Sequence, residues 1–146
     1  MQAKVQWIGD RTFVGSTESG HSVVVGTAFG EEGKKPGPSA MELVLIGAGS
    51  CSAWDVVNIL EKGREAVEDC VIALDADRAE KEPRVFTRIH MHFVVSGRGL
   101  DPRKVERAIA LSVDKYCSAV RMLMKTATVS HDFEIVEIPA AVAAQA

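Results

Sequence analysis

Basic residues hold no excess in this sequence: 17 Lys and Arg stand against 20 Asp and Glu in 146 residues, a formal charge of −3. That balance, with no basic run, lacks the electrostatic footprint of a nucleic-acid partner. Cysteine is scarce. Cys51, Cys70 and Cys117 fall at wide, irregular spacings, which excludes a disulfide framework and any C-x-x-C metal or thioredoxin pattern. Long hydrophobic runs are missing as well. The longest uncharged stretch, Leu43 to Trp54, is too short and too rich in Gly and Ser to span a bilayer, so no membrane is expected. The opening MQAKVQWIGD has neither a basic n-region nor an apolar h-region, so no signal peptide is expected. Internal repeats and low-complexity segments are absent too. What remains is 47% hydrophobic and 25% charged, the composition of a globular chain. At roughly 150 residues per domain, the expectation is one cytoplasmic domain spanning 1–146, large enough to fold without a disulfide or metal.

The N-terminal third reads as a three-strand meander. Val5–Ile8 ends at the Gly9-Asp10 turn pair, Thr12–Val14 follows, and Ser19-Gly20 turns the chain into Ser22–Val25. Phe29 to Pro38, rich in Gly, Pro and charge, is a loop. From Ser39 a long helix begins, initiated by Pro38 or Ser39, and it ends near Gly63 with Lys62 and Arg64 beside it. Residues 43–54 are apolar or small on every side of that helix, which predicts burial all round by a wrapping sheet or a partner subunit. Gly47 and Gly49 each cost about 1 kcal/mol of helix propensity. With Ala48 and Ser50 they let another backbone come close, either a packed sheet or, as the preferred expectation, another helix within or between subunits.

Residues 67–97 read as a hairpin. In its second strand Val85, Thr87, Ile89, Met91, Phe93 and Val95 alternate with Phe86, Arg88, His90, His92 and Val94. The first strand sets Cys70, Ile72 and Leu74 on one face. Asp101-Pro102 starts a second helix as N-cap and N1, with Val105, Ala108, Ile109 and Val113 at helical spacing and an end near Tyr116-Cys117. A short third helix, Ala119 to Thr126, precedes a strand over Val129–Ile138. Ala140 to Ala146 reads as a fraying tail.

Two thiols invite attention. Cys51 lies halfway along the long helix, where a lone cysteine is ordinarily a small buried hydrophobe. Cys117 sits at or beside the N-cap of the short helix, with Lys115, Arg121 and Lys125 near in sequence, so free N–H groups and positive charge there favour a thiolate. Cys70, beside Asp69 on an apolar strand face, is core filler. One thiol in a buried helix and one at a helix start suit a peroxide cycle, in which a sulfenic acid on the first condenses with the second. Arg11, or an acidic partner such as Glu42, is available to steady the thiolate and polarise the peroxide. Asp55, one turn after Cys51, would raise a neighbouring thiol's pKa, so it reads as a hydrogen-bonding group rather than a base. His90 and His92 share a strand face, where i, i+2 histidines can bind a metal, but with Arg88 they read as solvated sheet surface.

The run from Glu42 to Cys51, ELVLIGAGSC preceded by Pro38, is similar to the P-x-E-L…G…C helix of the OsmC/Ohr family, the osmotically inducible protein C and organic hydroperoxide resistance proteins. Lys115-Tyr116-Cys117-Ser118 before a short helix resembles its second cysteine motif, C-P-[VI]-[SN], with Ser118 in place of proline. The element order matches the family over nearly the whole chain. The stretches G-H-S-V-V-V and Arg98–Pro102 resemble its YhfA-type subgroup.

The resemblance implies an α+β, OsmC-like fold with antiparallel sheets wrapping a long central helix. It further implies an intertwined homodimer with active sites at the subunit interface. In its terms Cys51 attacks the peroxide, Cys117 resolves, and Arg11 is the equivalent of the family's N-terminal arginine. The peroxidase branches carry a catalytic glutamate ten residues before the first cysteine. That position here is Met41, and Glu42 lies about 100° further round the helix. The expected function is therefore a thiol-dependent hydroperoxide reductase without cofactor or metal, recycled by an external dithiol of lipoyl or thioredoxin type. The alternative, which Met41 favours, is a non-catalytic stress-related dimer binding a small apolar ligand at its interface. A hydrolase using Cys51 as acyl acceptor ranks lower, for want of a histidine base.

Overall fold

The computed structural model describes residues 1–29, 32–33 and 35–139. The expected tail, Ala140 to Ala146, and part of the Phe29–Pro38 loop lie outside the described residues. The chain divides into two compact units, Met1–Ile46 and Gly47–Ala146.

In the first unit β1 (Ala3–Gly9), β2 (Thr12–Thr17) and β3 (Ser22–Gly26) form an antiparallel meander in chain order. The β1–β2 turn centres one residue later than Gly9-Asp10. Gly9 pairs with Thr12, and the intervening Asp10 and Arg11 both take positive φ, 44° and 55°. Two successive left-handed residues are the geometry that matches the right-handed twist of a tight hairpin.

The long helix α1 (Ala40–Lys62) starts at a capping box. The Ser39 N–H and hydroxyl both donate to Glu42 Oε2 (2.6 and 2.7 Å), and the Glu42 N–H donates back to Ser39 Oγ at 3.3 Å. Reciprocal bonding of this kind satisfies donors that the first helical turn leaves free.

In the second unit β4 (Ala66–Arg78) and β5 (Phe86–Arg98) pair antiparallel, and β6 (Thr128–Glu137) adds to β5 in parallel. The expectation of purely antiparallel sheets is corrected here. β5 and β6 are joined by a helical crossover, α2 (Pro102–Leu111), one π-helical turn (Ser112–Tyr116) and α3 (Ser118–Leu123), and a long helical connection is what a parallel pair requires. Ile89, Met91, Phe93 and Val95 of β5 are buried as their alternation predicts, with Val56 and Leu60 of α1 and Val105 and Ile109 of α2. The start of β5 breaks that alternation. Arg88 pairs with Asp77 but Phe86 with Arg78, so Thr87 is an extra residue in a bulge. The bulge turns Phe86 into the core and leaves Val85 exposed.

Within the single chain, burial of α1 is one-sided. Its buried residues, Ala48, Gly49, Ser52, Val56 and Leu60, form a single stripe. Ile46 and Trp54 are 54% and 67% exposed. A Cβ on Gly49 would meet Leu74 of β4 at 2.8 Å, so this glycine serves helix–sheet packing, whereas one on Gly47 would meet open space. α1 has the length and apolar composition of a membrane span. One stripe of it is packed, and its Asp55 is hydrogen-bonded to Ser112 of the second unit. Removing the cap hydroxyl in Ser39→Ala is expected to lower unfolding free energy by about 1 kcal/mol, read from the urea midpoint at unchanged slope.

Candidate active site

The second unit brings Cys51 and Cys117 together. Cys51 and Asp55 lie one turn apart on α1, and Cys117 comes from the far end of the β5–β6 crossover. The two sulfurs and an Asp55 carboxylate oxygen all lie within 4.8 Å of one another.

Local structure explains how Cys117 arrives. Asp101 caps α2, its side chain accepting from the Arg103 N–H, with Pro102 at the first turn, as the D-P pair predicts. The helix remains α-helical only to Leu111. The last turn is wider, and it ends where the Cys117 N–H donates to the Ser112 carbonyl at 2.8 Å. Such π turns are uncommon and recur at functional sites. Beyond it Cys117 is extended (φ −67°, ψ 101°) and stands at the N-cap of α3.

Ser112 is the pivot of the site. Its hydroxyl lies 2.8 Å from Ser52 Oγ, both residues fully buried, and donates to Asp55 Oδ2 at 3.1 Å. Asp55 is thus the hydrogen-bonding group its position predicts, in mid-helix. Ser52 and Ser112 were not among the predicted site residues. Their only sequence signal is a polar residue within each apolar stripe, Ser52 between Ala48 and Val56, and Ser112 after Ala108 and Ile109.

The expectation of an activated Cys117 thiolate is corrected. Its thiol is pushed up to about 11, by burial above all and further by Cys51 and Asp55, against a downward pull from the Val120 N–H. Cys117 is fully buried and its S–H points to the Ala48 carbonyl at 3.8 Å. Two of the three cations near it in sequence turn elsewhere: Lys115 lies over the Tyr116 ring, and Arg121 reaches Met124 Sδ. Desolvation of the anion outweighs the few free N–H groups of a six-residue helix. Cys51 is only part-buried.

Of the remaining candidates, Glu42 and Arg11 belong to the first unit, and Cys70, His90 and His92 to strands of the second. Glu42 is engaged by Ser39 and by Lys35 Nζ (2.6 and 2.8 Å), and these bonds hold its carboxyl down to about 2. That anion belongs to the start of α1. Met41 lies one residue earlier in the first turn of the same helix. Arg11 stands in the β1–β2 turn of the first unit, its carbonyl 3.5 Å from the Thr27 N–H. Cys70 is part-buried, and burial with Asp69 beside it raises its thiol to about 11, in keeping with core filler. His90 and His92 lie on the polar sheet face as expected. His90 Nδ1 meets Ser130 Oγ at 2.9 Å, and His92 Nδ1 meets Asp132 at 2.6 Å.

Two outcomes follow from these thiols. Iodoacetamide at neutral pH is expected to label Cys51 well before Cys117, by peptide mapping, and equal rates in folded protein would contradict the burial order. Unfolded thiols ionise near 9, whereas Cys70 and Cys117 hold their protons to about 11 in the fold. Stability is therefore expected to fall as pH rises from 9 towards 11, and Cys70→Ser is expected to lose less over that window in urea titrations.

The comparisons with known proteins agree with this architecture. Residues 31–132 match the family model for OsmC-like proteins. Protein YhfA of Escherichia coli (strain K12) is 48% identical over 136 residues, 93% of this chain and 98% of that protein. A hypothetical protein from Aquifex aeolicus VF5 superposes with a TM-score of 0.83 at 29% identity, covering 94% of this chain and 97% of that one. The organic hydroperoxide resistance protein OhrB of Bacillus subtilis shares the fold, with a TM-score of 0.64 at 16% identity over 92% of this chain and 98% of its own. Two sheets, a long helix and a matched sequence over most of its length lead to one conclusion: this chain belongs to the OsmC-like family, as its two cysteine motifs predict.

Proposed function

We propose that the protein is a thiol-dependent hydroperoxide reductase in which Cys51 attacks and Cys117 resolves. The observation that carries this is the meeting of the two sulfurs within 4.8 Å, from separate elements of the second unit. Their unequal burial supports the division of labour, since a substrate can reach part-exposed Cys51 and not buried Cys117.

In the first step the Cys51 thiolate attacks a peroxide oxygen. An S–O bond forms, the O–O bond breaks, and the leaving alkoxide takes a proton to depart as an alcohol. The sulfur, now a sulfenic acid, is attacked by Cys117, the S–S bond forms and water leaves. An external dithiol of lipoyl or thioredoxin type then returns two electrons and two protons by exchange. The buried, high-pKa Cys117 is suited to wait as a thiol until the sulfenic acid forms. Arg11 is proposed as the cation that steadies the thiolate. A second copy is proposed to cover the exposed stripe of α1 that includes Ile46, Gly47, Ser50 and Trp54. Three free cysteines fit the reducing, cytoplasmic setting such a cycle requires.

A rival reading is favoured by one observation. The first unit holds an apolar groove of about 590 Å³, with Val5, Phe13, Val23, Val25 and Leu43 in its lining, a volume suited to a small apolar ligand. The two readings separate on stoichiometric cumene hydroperoxide. The peroxidase is expected to lose two thiols and about two mass units per chain, mapped to a Cys51–Cys117 link. Cys51→Ser is expected to abolish turnover, and Cys117→Ser to leave Cys51 open to over-oxidation. Three surviving thiols in folded wild-type protein would reject the redox pair and favour the ligand-binding dimer. A monomer by sedimentation at micromolar concentration would reject the dimer.

A further inference from the structure

The donor set around the two thiols has a second chemistry that does not depend on peroxide. Two sulfurs and one carboxylate oxygen converge from two elements, all within 4.8 Å of one another. Four-coordinate zinc holds thiolates at about 2.3 Å, which sets its ligand atoms about 3.8 Å apart. Side-chain rotation on this scale closes the cluster onto an ion. Cys51 and Asp55 are four residues apart on α1, a spacing that aims both side chains from one helix face at one point. Cys117 approaches from the end of the π turn, whose geometry is held by the bond from its own N–H to Ser112. The carboxylate is oriented from behind by the Ser112 hydroxyl, itself 2.8 Å from Ser52 Oγ. A hydrogen-bonded outer shell is what holds a metal-binding carboxylate in place.

We propose that reduced Cys51, Cys117 and Asp55 form a three-ligand site for a thiophilic divalent cation of the zinc class, with the fourth position open. Soft sulfur donors select such ions over calcium or magnesium. On binding, one divalent ion enters and each thiol gives up its proton, so two protons are released and the Cys117 S–H contact to Ala48 is lost. The metal-bound form and the Cys51–Cys117 disulfide exclude one another, because both use the same sulfur lone pairs. The absence of a C-x-x-C pattern does not bear on this site, whose ligands only the tertiary fold brings together.

The test is a cobalt(II) titration of reduced, desalted protein under argon, with no peroxide present. One equivalent is expected to give thiolate-to-cobalt charge transfer in the near ultraviolet and visible bands of a four-coordinate ion. Zinc is expected to bleach both, with two protons released per ion in weak buffer. Cys51→Ser is expected to remove the charge-transfer band, and Cys70→Ser to leave it unchanged. Ser112→Ala is expected to weaken cobalt binding by about 10- to 100-fold through loss of the carboxylate's orientation. No charge-transfer band from folded protein with three titratable thiols would overturn the proposal, as would a band that survives in Cys51→Ser or is lost in Cys70→Ser. A protein that binds cobalt as expected but forms no disulfide with cumene hydroperoxide would keep this site and reject the peroxidase cycle. The reverse result would reject the metal alone.

Discussion

Two buried hydroxyls, on Ser52 of α1 and Ser112 at the start of the π turn, lie 2.8 Å apart and tie the central helix to the β5–β6 crossover. Everything at the site is positioned from that junction. The Ser112 hydroxyl holds Asp55, and its backbone carbonyl receives the N–H of Cys117. One residue thus fixes a helix-borne carboxylate and the chain direction at a cysteine from a different element. A buried polar pair is tolerated in such a place only because both partners are satisfied. Losing the Ser112 hydroxyl would leave both Ser52 Oγ and the Asp55 carboxylate without that partner.

The charge pattern around those thiols sets what they can do. A thiol at a helix start is ordinarily easier to ionise, yet here burial dominates, with smaller contributions from Cys51 and Asp55, and Cys117 keeps its proton. Cys51, part-exposed on a rigid helix, is left as the reachable sulfur. The acidic group nearest the position where the peroxidase branches carry their glutamate is Glu42. It is consumed by the cap of α1 through Ser39 and Lys35. With Met41 before it, the carboxylate that meets the thiols is Asp55, on the opposite side of Cys51 along the helix. A carboxylate placed there disfavours a bare thiolate and favours a sulfur bound to a cation. The same constraint links the proposed peroxide cycle with the proposed metal site.

Much of the fold was legible in local pattern. The G-D and S-G punctuation marked the meander, D-P marked the start of α2, and the period-two alternation of Ile89, Met91, Phe93 and Val95 marked the buried face of β5. These signals are local because turn chemistry, capping and pleat periodicity act over a few residues. The misread features all depend on what lies across a gap in sequence. The bulge at Thr87 depends on the pairing partner of β5, and the parallel placement of β6 on the crossover before it.

By itself the sequence determined the element order, the family through its two cysteine motifs, and the candidates Cys51 and Cys117. Residue types at short spacing are sufficient for those conclusions. Only the tertiary structure decided that the two sulfurs meet, that Asp55 joins them and that Ser112 with Ser52 holds them there. It also buried the Cys117 thiol and raised it, against the thiolate that its place at a helix start predicts. Desolvation and through-space charge depend on neighbours that chain folding supplies, and no local motif encodes how deeply a side chain is buried.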